Sequence, residues 1–108
     1  MDFPEPDWKH LREVKRAALE RYCERVLQEC ASITSDHTRT AHERYLAVHK
    51  LLRERDDDLS SAFDDHRRST ALLRLLSMRS LGVVTDEEMT GFSRETRERV
   101  DAALRNLR

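Results

Sequence analysis

Five histidines, two cysteines and a block of aspartates are the side chains here with chemistry to offer. Asp57 and Asp64 share one helical face, as do Asp58 and Asp65, each pair seven apart, with His66 beside them. Carboxylates next to an imidazole are raw material for a metal site. Di-iron bundles build theirs from Glu-x-x-His pairs on facing helices, and the chain contains none. Asp7-Trp8-Lys9-His10 has the spacing but stands alone at a helix start. The simpler expectation is a solvated face carrying Arg53–Asp57 and Asp64–Arg68 ion pairs at i,i+4. His42 and His49 share a face but are separated by about 10.5 Å of helix rise, too far for shared ligation, and His37 falls in a loop. Cys23 and Cys30 have the same separation, and a disulfide between them would need Cα atoms within about 7 Å. Two reduced thiols are expected, with an intermolecular disulfide or a shared metal as the alternative.

Nucleophilic catalysis finds no pattern. No serine sits in a Gly-x-Ser-x-Gly elbow. The two glycines, Gly82 and Gly91, build no phosphate-cradling loop. The expectation is therefore no catalytic residue, no cofactor and no metal. The remaining chemistry is cationic: Arg67, Arg68, Arg74 and Arg79 follow one another with no acid before Asp86, and such a stretch would contact phosphates. Against this, the chain carries 20 basic and 21 acidic side chains, a formal charge of −1. It lacks the broad positive footprint of a nucleic-acid binder, and no aromatic residue interleaves the stretch. Nucleic-acid contact by these four arginines is the alternative reading.

The elements that would position these groups are helical. The 108 residues are the size of one domain, with 38% charged and 38% apolar residues and only two glycines and two prolines. That composition excludes collagen-like, Gly/Ser-rich and disulfide-scaffold classes. The balance of charge argues against a disordered polyelectrolyte. Arginine outnumbers lysine 17 to 3, which suits interfaces and equally follows from a GC-rich genome. The acidic N-terminus shows no signal-peptide h-region, and no apolar run approaches the roughly 20 residues of a membrane span. A cytoplasmic protein is expected.

Helix 1 is expected over residues 7–31, with Asp7 as N-cap and Pro6 closing the chain to helix before it. Its stripe is Trp8, Leu11, Val14, Ala18, Tyr22, Val26 and Cys30, in steps of three and four. Leu19, Cys23 and Leu27 widen it, so this helix should touch more than one neighbour. Residues 32–40 read as a polar loop. Thr40 and Glu43 form a capping box that opens a long helix 2, over 41–81, uninterrupted by Gly or Pro until Gly82; a break near 56–61 is the alternative. Its heptad stripe runs Tyr45, Leu52, Leu59, His66, Leu73 and Ser80, with Val48, Arg55, Ala62, Ser69 and Leu76 three later, and Phe63 beside it. Thr85 and Glu88 form a second capping box. Ser93 caps a last helix, so that 86–107 is a short C-terminal helical pair.

Residues 72–92 resemble the short C-terminal bacterial oligomerisation module known as SHOCT. The likeness lies in Leu72, Leu73 and Leu76, then Leu81-Gly82-Val83-Val84-Thr85-Asp86-Glu87-Glu88-Met89. These follow the module's order of a Leu-rich helix, Gly, an aliphatic pair, Thr-x-Glu-Glu and a bulky apolar residue. After Met89 the usual Lys-rich helix is replaced by Thr90-Gly91-Phe92-Ser93-Arg94-Glu95. The resemblance covers about a fifth of the chain. It implies self-association or scaffolding and no chemistry.

Length then points to a second chain. A 40-residue helix is roughly 60 Å long, against a radius of gyration of about 13 Å for a compact domain of this size. Residues 54–65 are acidic and 67–79 basic. Two copies paired antiparallel about His66 would therefore set Asp58 against Arg74, Asp65 against Arg67 and Leu59 against Leu73. Such a dimer should weaken below about pH 6 as the two imidazoles charge. The expected protein is all-α: an antiparallel helical hairpin with one long helix and a short C-terminal helical pair, assembled as a helical-bundle homo-oligomer, a dimer or coiled coil. Its work would be protein–protein interaction, with itself or an unidentified protein partner and away from membranes. The expected interface is Tyr45, Val48, Leu52, Leu59, Ala62, Phe63, His66, Leu73 and Leu76.

Overall fold

The computed structural model describes residues 3–65 and 67–106. Every regular element among them is helical: α1 (Glu5–Thr34), α2 (Ala41–Phe63), a 3-10 turn (Arg68–Thr70), α3 (Ala71–Ser80), α4 (Asp86–Met89) and α5 (Arg94–Asn106).

Helix α1 buries the stripe that its spacing predicts. Leu11, Val14, Ala18, Tyr22 and Val26 are buried, with Trp8 and Cys30 packed at the edges. Its start differs. Pro4 is the N-cap, and Pro6 lies inside the first turn, where a missing N–H breaks no helical bond. Asp7 is thus a first-turn residue, and its buried carboxylate crosses to α5. Oδ1 accepts from the Ser93 backbone N–H at 2.8 Å, and Oδ2 accepts from the Ser93 and Thr96 hydroxyls, both at 2.7 Å. One side chain near the chain start therefore completes the cap of the last helix, and its negative charge sits at the positive end of that helix.

The long helix over 41–81 is corrected: α2 ends at Phe63 and α3 begins at Ala71, so the break falls beyond the 56–61 alternative. Asp64 leaves the helix in an extended conformation, and Asp65 takes a positive φ of 61°, a region aspartate enters more readily than most residues. The Thr70 hydroxyl then bonds the carbonyls of Asp65 and Arg67. The driving force is burial. Turning back brings α3 against α1, α2 and α5 and leaves Ala71, Leu75 and Met78 fully covered. Each of the two large side chains gains about 1.5–3 kcal/mol over an exposed position. The self-pairing about His66 needed the unbroken helix and is overturned with it; His66 itself lies outside the described residues. The Arg53–Asp57 and Asp64–Arg68 pairs are absent too: Asp64 accepts from the Ser60 hydroxyl, and Arg68 turns to Glu5.

The connection from α3 to α4 is laid along α1. Gly82 takes a φ of 76°, which costs a residue with a Cβ about 1–2 kcal/mol. Arg25 donates to the carbonyls of Leu81 and Gly82 at 2.7 and 3.2 Å, and Arg21 donates to that of Val83 at 2.9 Å. Arg21 also clasps Glu88, whose other bond closes the Thr85 capping box. The His10 Nε2–H donates to the Glu88 carbonyl at 2.8 Å, with Phe92 edge-on against the ring. A Cβ on Gly91 would come within 2.3 Å of that imidazole, so any other residue there would displace the His10 ring. Val83, Val84, Met89, Phe92 and Val100 complete the core.

Candidate interaction surface

Contacts between α1 and α2 descend one helix as they climb the other. Arg44 donates to the Thr34 carbonyl at 2.7 Å, Arg55 pairs with Glu29 at 3.0 Å, and the Tyr22 hydroxyl donates to the Arg55 carbonyl and Asp58. Tyr22 finally meets the Phe63 ring. Burial beside Asp58 pushes the Tyr22 phenol up to about 12. The buried residues of α2 are Leu51, Ala62 and Phe63. Ala62 and Phe63 belong to the predicted stripe and Leu51 does not, while the stripe residues Leu52 and Tyr45 remain 41% and 69% exposed.

The predicted interface residues consequently divide. Ala62 and Phe63 are corrected, because both are buried in the chain's own core and offer nothing to a second molecule. Tyr45, Val48, Leu52 and Leu59 line an open groove along the α1–α2 seam. One part, about 220 Å³, is walled by Cys23, Val26, Leu27, Leu52, Asp56 and Leu59. The next, about 400 Å³, continues past Leu52 to Val48, His49 and Tyr45. Leu73 and Leu76 lie elsewhere, in a separate hollow of about 320 Å³ between α3, α5 and Phe3. Leu27, 62% exposed, belongs to the groove and was not among the predicted interface residues. Its signal was present in the Leu19–Cys23–Leu27 set that widens the α1 stripe.

The chemistry-bearing residues do not converge. Among the described residues no group of three His, Cys, Asp or Glu side chains is placed to hold a metal ion. Cys23 is exposed, Cys30 half-buried, and both are free thiols. The four arginines of the alternative reading are all engaged within the chain. Arg67 pairs with Asp65, Arg68 bonds Glu5 and the Phe3 carbonyl, Arg74 bonds the Ser61 carbonyl, and Arg79 bonds Asp86 and the Val84 carbonyl. No helix among the described residues is long and apolar enough to cross a membrane.

The groove lies on an arm. The molecule measures 52 × 26 × 21 Å with a radius of gyration of 16.6 Å, well above the roughly 13 Å of a compact domain this long. The C-terminal elements cover α1 as far as Arg25. Beyond that, from Leu27 to Lys50, no residue is fully buried. Comparison with known proteins finds no matching family model, no similar curated protein and no similar solved structure. The resemblance of residues 72–92 to the oligomerisation module therefore rests on those residues alone. Val83, Val84 and Met89, which carry much of it, are packed in this chain's own core.

Proposed function

We propose that this chain is a protein–protein interaction module, a self-associating scaffold, adaptor or regulator. It works by presenting the antiparallel α1–α2 hairpin to a second copy of itself. The observation that carries the reading is the thinly packed arm: residues 27–50 include no fully buried residue, while Leu27, Tyr45, Leu46 and Leu52 stand exposed along it. Two helices cannot enclose an apolar stripe between them; a third or fourth is needed to remove it from water. A homodimer would complete a four-helix bundle there. The reading assigns no catalytic residue and no cofactor. It takes the cytoplasm as the compartment, on the support of two free thiols.

Sedimentation equilibrium at micromolar concentration tests it. The expected result is a dimer or larger species that Leu52→Glu shifts to monomer without loss of helical circular dichroism. A strictly monomeric chain overturns the reading.

A further inference from the structure

We infer that the hollow between α3 and α5 binds an amphiphilic monocarboxylate, an acid carrying one negative charge on a short apolar body. This surface is separate from the α1–α2 groove, so the inference stands whether or not the chain self-associates. The hollow measures about 320 Å³, at the small end of the roughly 300–1,000 Å³ of small-molecule sites. Its size suits a medium-length acyl chain or a single ring. Leu72, Leu73 and Leu76 line it from α3, Val100 and Ala103 from α5, and Phe3 from the chain start. Phe3 and Val100 are buried and Leu73 is 53% exposed, so the hollow runs from a covered floor to an open rim.

The space follows from residue sizes at the seam. Residues three and four apart share a helical face. Leu76 therefore stands with Leu72 and Leu73 on α3, and Ala103 stands with Val100 and Arg99 on α5. The short Ala103 side chain, opposite three leucines, leaves room that a larger residue would fill. Apolar walls left in water are unfavourable, and an apolar body laid against them removes that contact.

The polar lining selects the head group. It consists of Arg68, Ser69 and Arg99, all able to donate, and no carboxylate lines the hollow among the described residues. Arg68 is held in place: Nε donates to the Phe3 carbonyl at 2.8 Å and Nη1 to Glu5 at 2.7 Å. Its Nη2 takes part in neither bond. Arg99 reaches Glu95 through Nη2 alone, at 3.4 Å, in an exposed pair of a kind worth little. A carboxylate can displace that contact and meet the Arg99 fork in the geometry guanidinium favours, with the Ser69 hydroxyl as a further donor. Glu5 and Glu95 lie outside the lining and already offset part of each arginine's charge. The hollow therefore suits one negative charge rather than two.

The test is a titration of the full chain with octanoate at pH 7, followed by the amide shifts of its NMR spectrum. The expected result is saturable binding, with the largest shifts at Ser69, Leu73, Leu76 and Ala103. Octanol, which keeps the chain and loses the charge, and octylammonium, which reverses it, should each bind at least about tenfold more weakly. Arg99 is exposed, so Arg99→Gln should keep wild-type helicity while raising the octanoate dissociation constant about tenfold. Ala103→Leu should fill the hollow and abolish binding in a chain that remains folded by circular dichroism. The inference is overturned if octanoate does not saturate, if octanol binds as well, or if Ala103→Leu, still folded, binds unchanged. Shifts along the α1–α2 groove in place of the hollow overturn it too. So does movement of the same amides on raising protein concentration without octanoate, because a second copy would then be the occupant.

Discussion

Asp7 shows how much one residue decides here. Read along the chain, it is a cap for the helix it begins. In three dimensions it caps the helix that ends the described chain, because the Ser93 N–H and two hydroxyls reach its buried carboxylate. Removing an acceptor shared by the buried Thr96 hydroxyl and the two half-buried donors of Ser93 leaves them unsatisfied, at a cost of about 1–3 kcal/mol for the first and less for hydroxyls that can rotate. Asp7→Ala should therefore destabilise the chain by about 2–3 kcal/mol in urea denaturation. The amides at the start of α5 should lose exchange protection more than those of α1. Equal loss across both helices would mean that Asp7 acts on its own helix.

At the scale of elements, the short helix α4 is held by what surrounds it. Four residues do not make a stable helix alone. The capping box between Thr85 and Glu88 and the clasp of Arg21 hold it to α1. The Arg21 guanidinium, with burial opposing and the Thr85 N–H assisting, holds the Glu88 carboxyl below the ordinary glutamate value of 4.5. A depressed folded value means that the stabilisation is complete above about pH 4.5 and disappears as pH falls through the lower folded value. Unfolding free energy should decline over that acidic window, and Glu88→Gln should remove this share of the decline while costing about 1 kcal/mol at pH 7. An unchanged acid limb in the Gln variant would place the linkage on other carboxylates.

Across the whole molecule the chain is uneven: a packed head built from both ends of the sequence, and a two-helix arm with no fully buried residue between Leu27 and Lys50. Local stability follows buried contacts. In dilute solution the arm's amides should exchange far faster than those around Leu75 and Met78, which are fully enclosed. Raising concentration into the range where copies pair should slow exchange in the arm and leave the head unchanged. Protection in the arm that is independent of concentration would show that the hairpin holds itself without a second copy.

Local rules were legible wherever the causes were local. The α1 stripe, both Thr/Glu capping boxes, the stop at Gly82 and the Ser93 start are set by periodicity and by side chains within four residues, and they stand in the structure as read. The break at Asp64–Asp65 has no Gly or Pro to announce it. It exists because burying Leu75 and Met78 on α1 outweighs one more stretch of solvated helix, a comparison between distant parts of the chain. The same competition divided the α2 stripe, taking Ala62 and Phe63 inward together with Leu51 from outside it, and leaving Tyr45 and Leu52 on the groove. Sequence by itself determined that this protein is helical and where apolar stripes run. Which side of each stripe is spent on the chain's own core, and which is left for another molecule, was decided by tertiary packing, because burial is a property of all the neighbours at once.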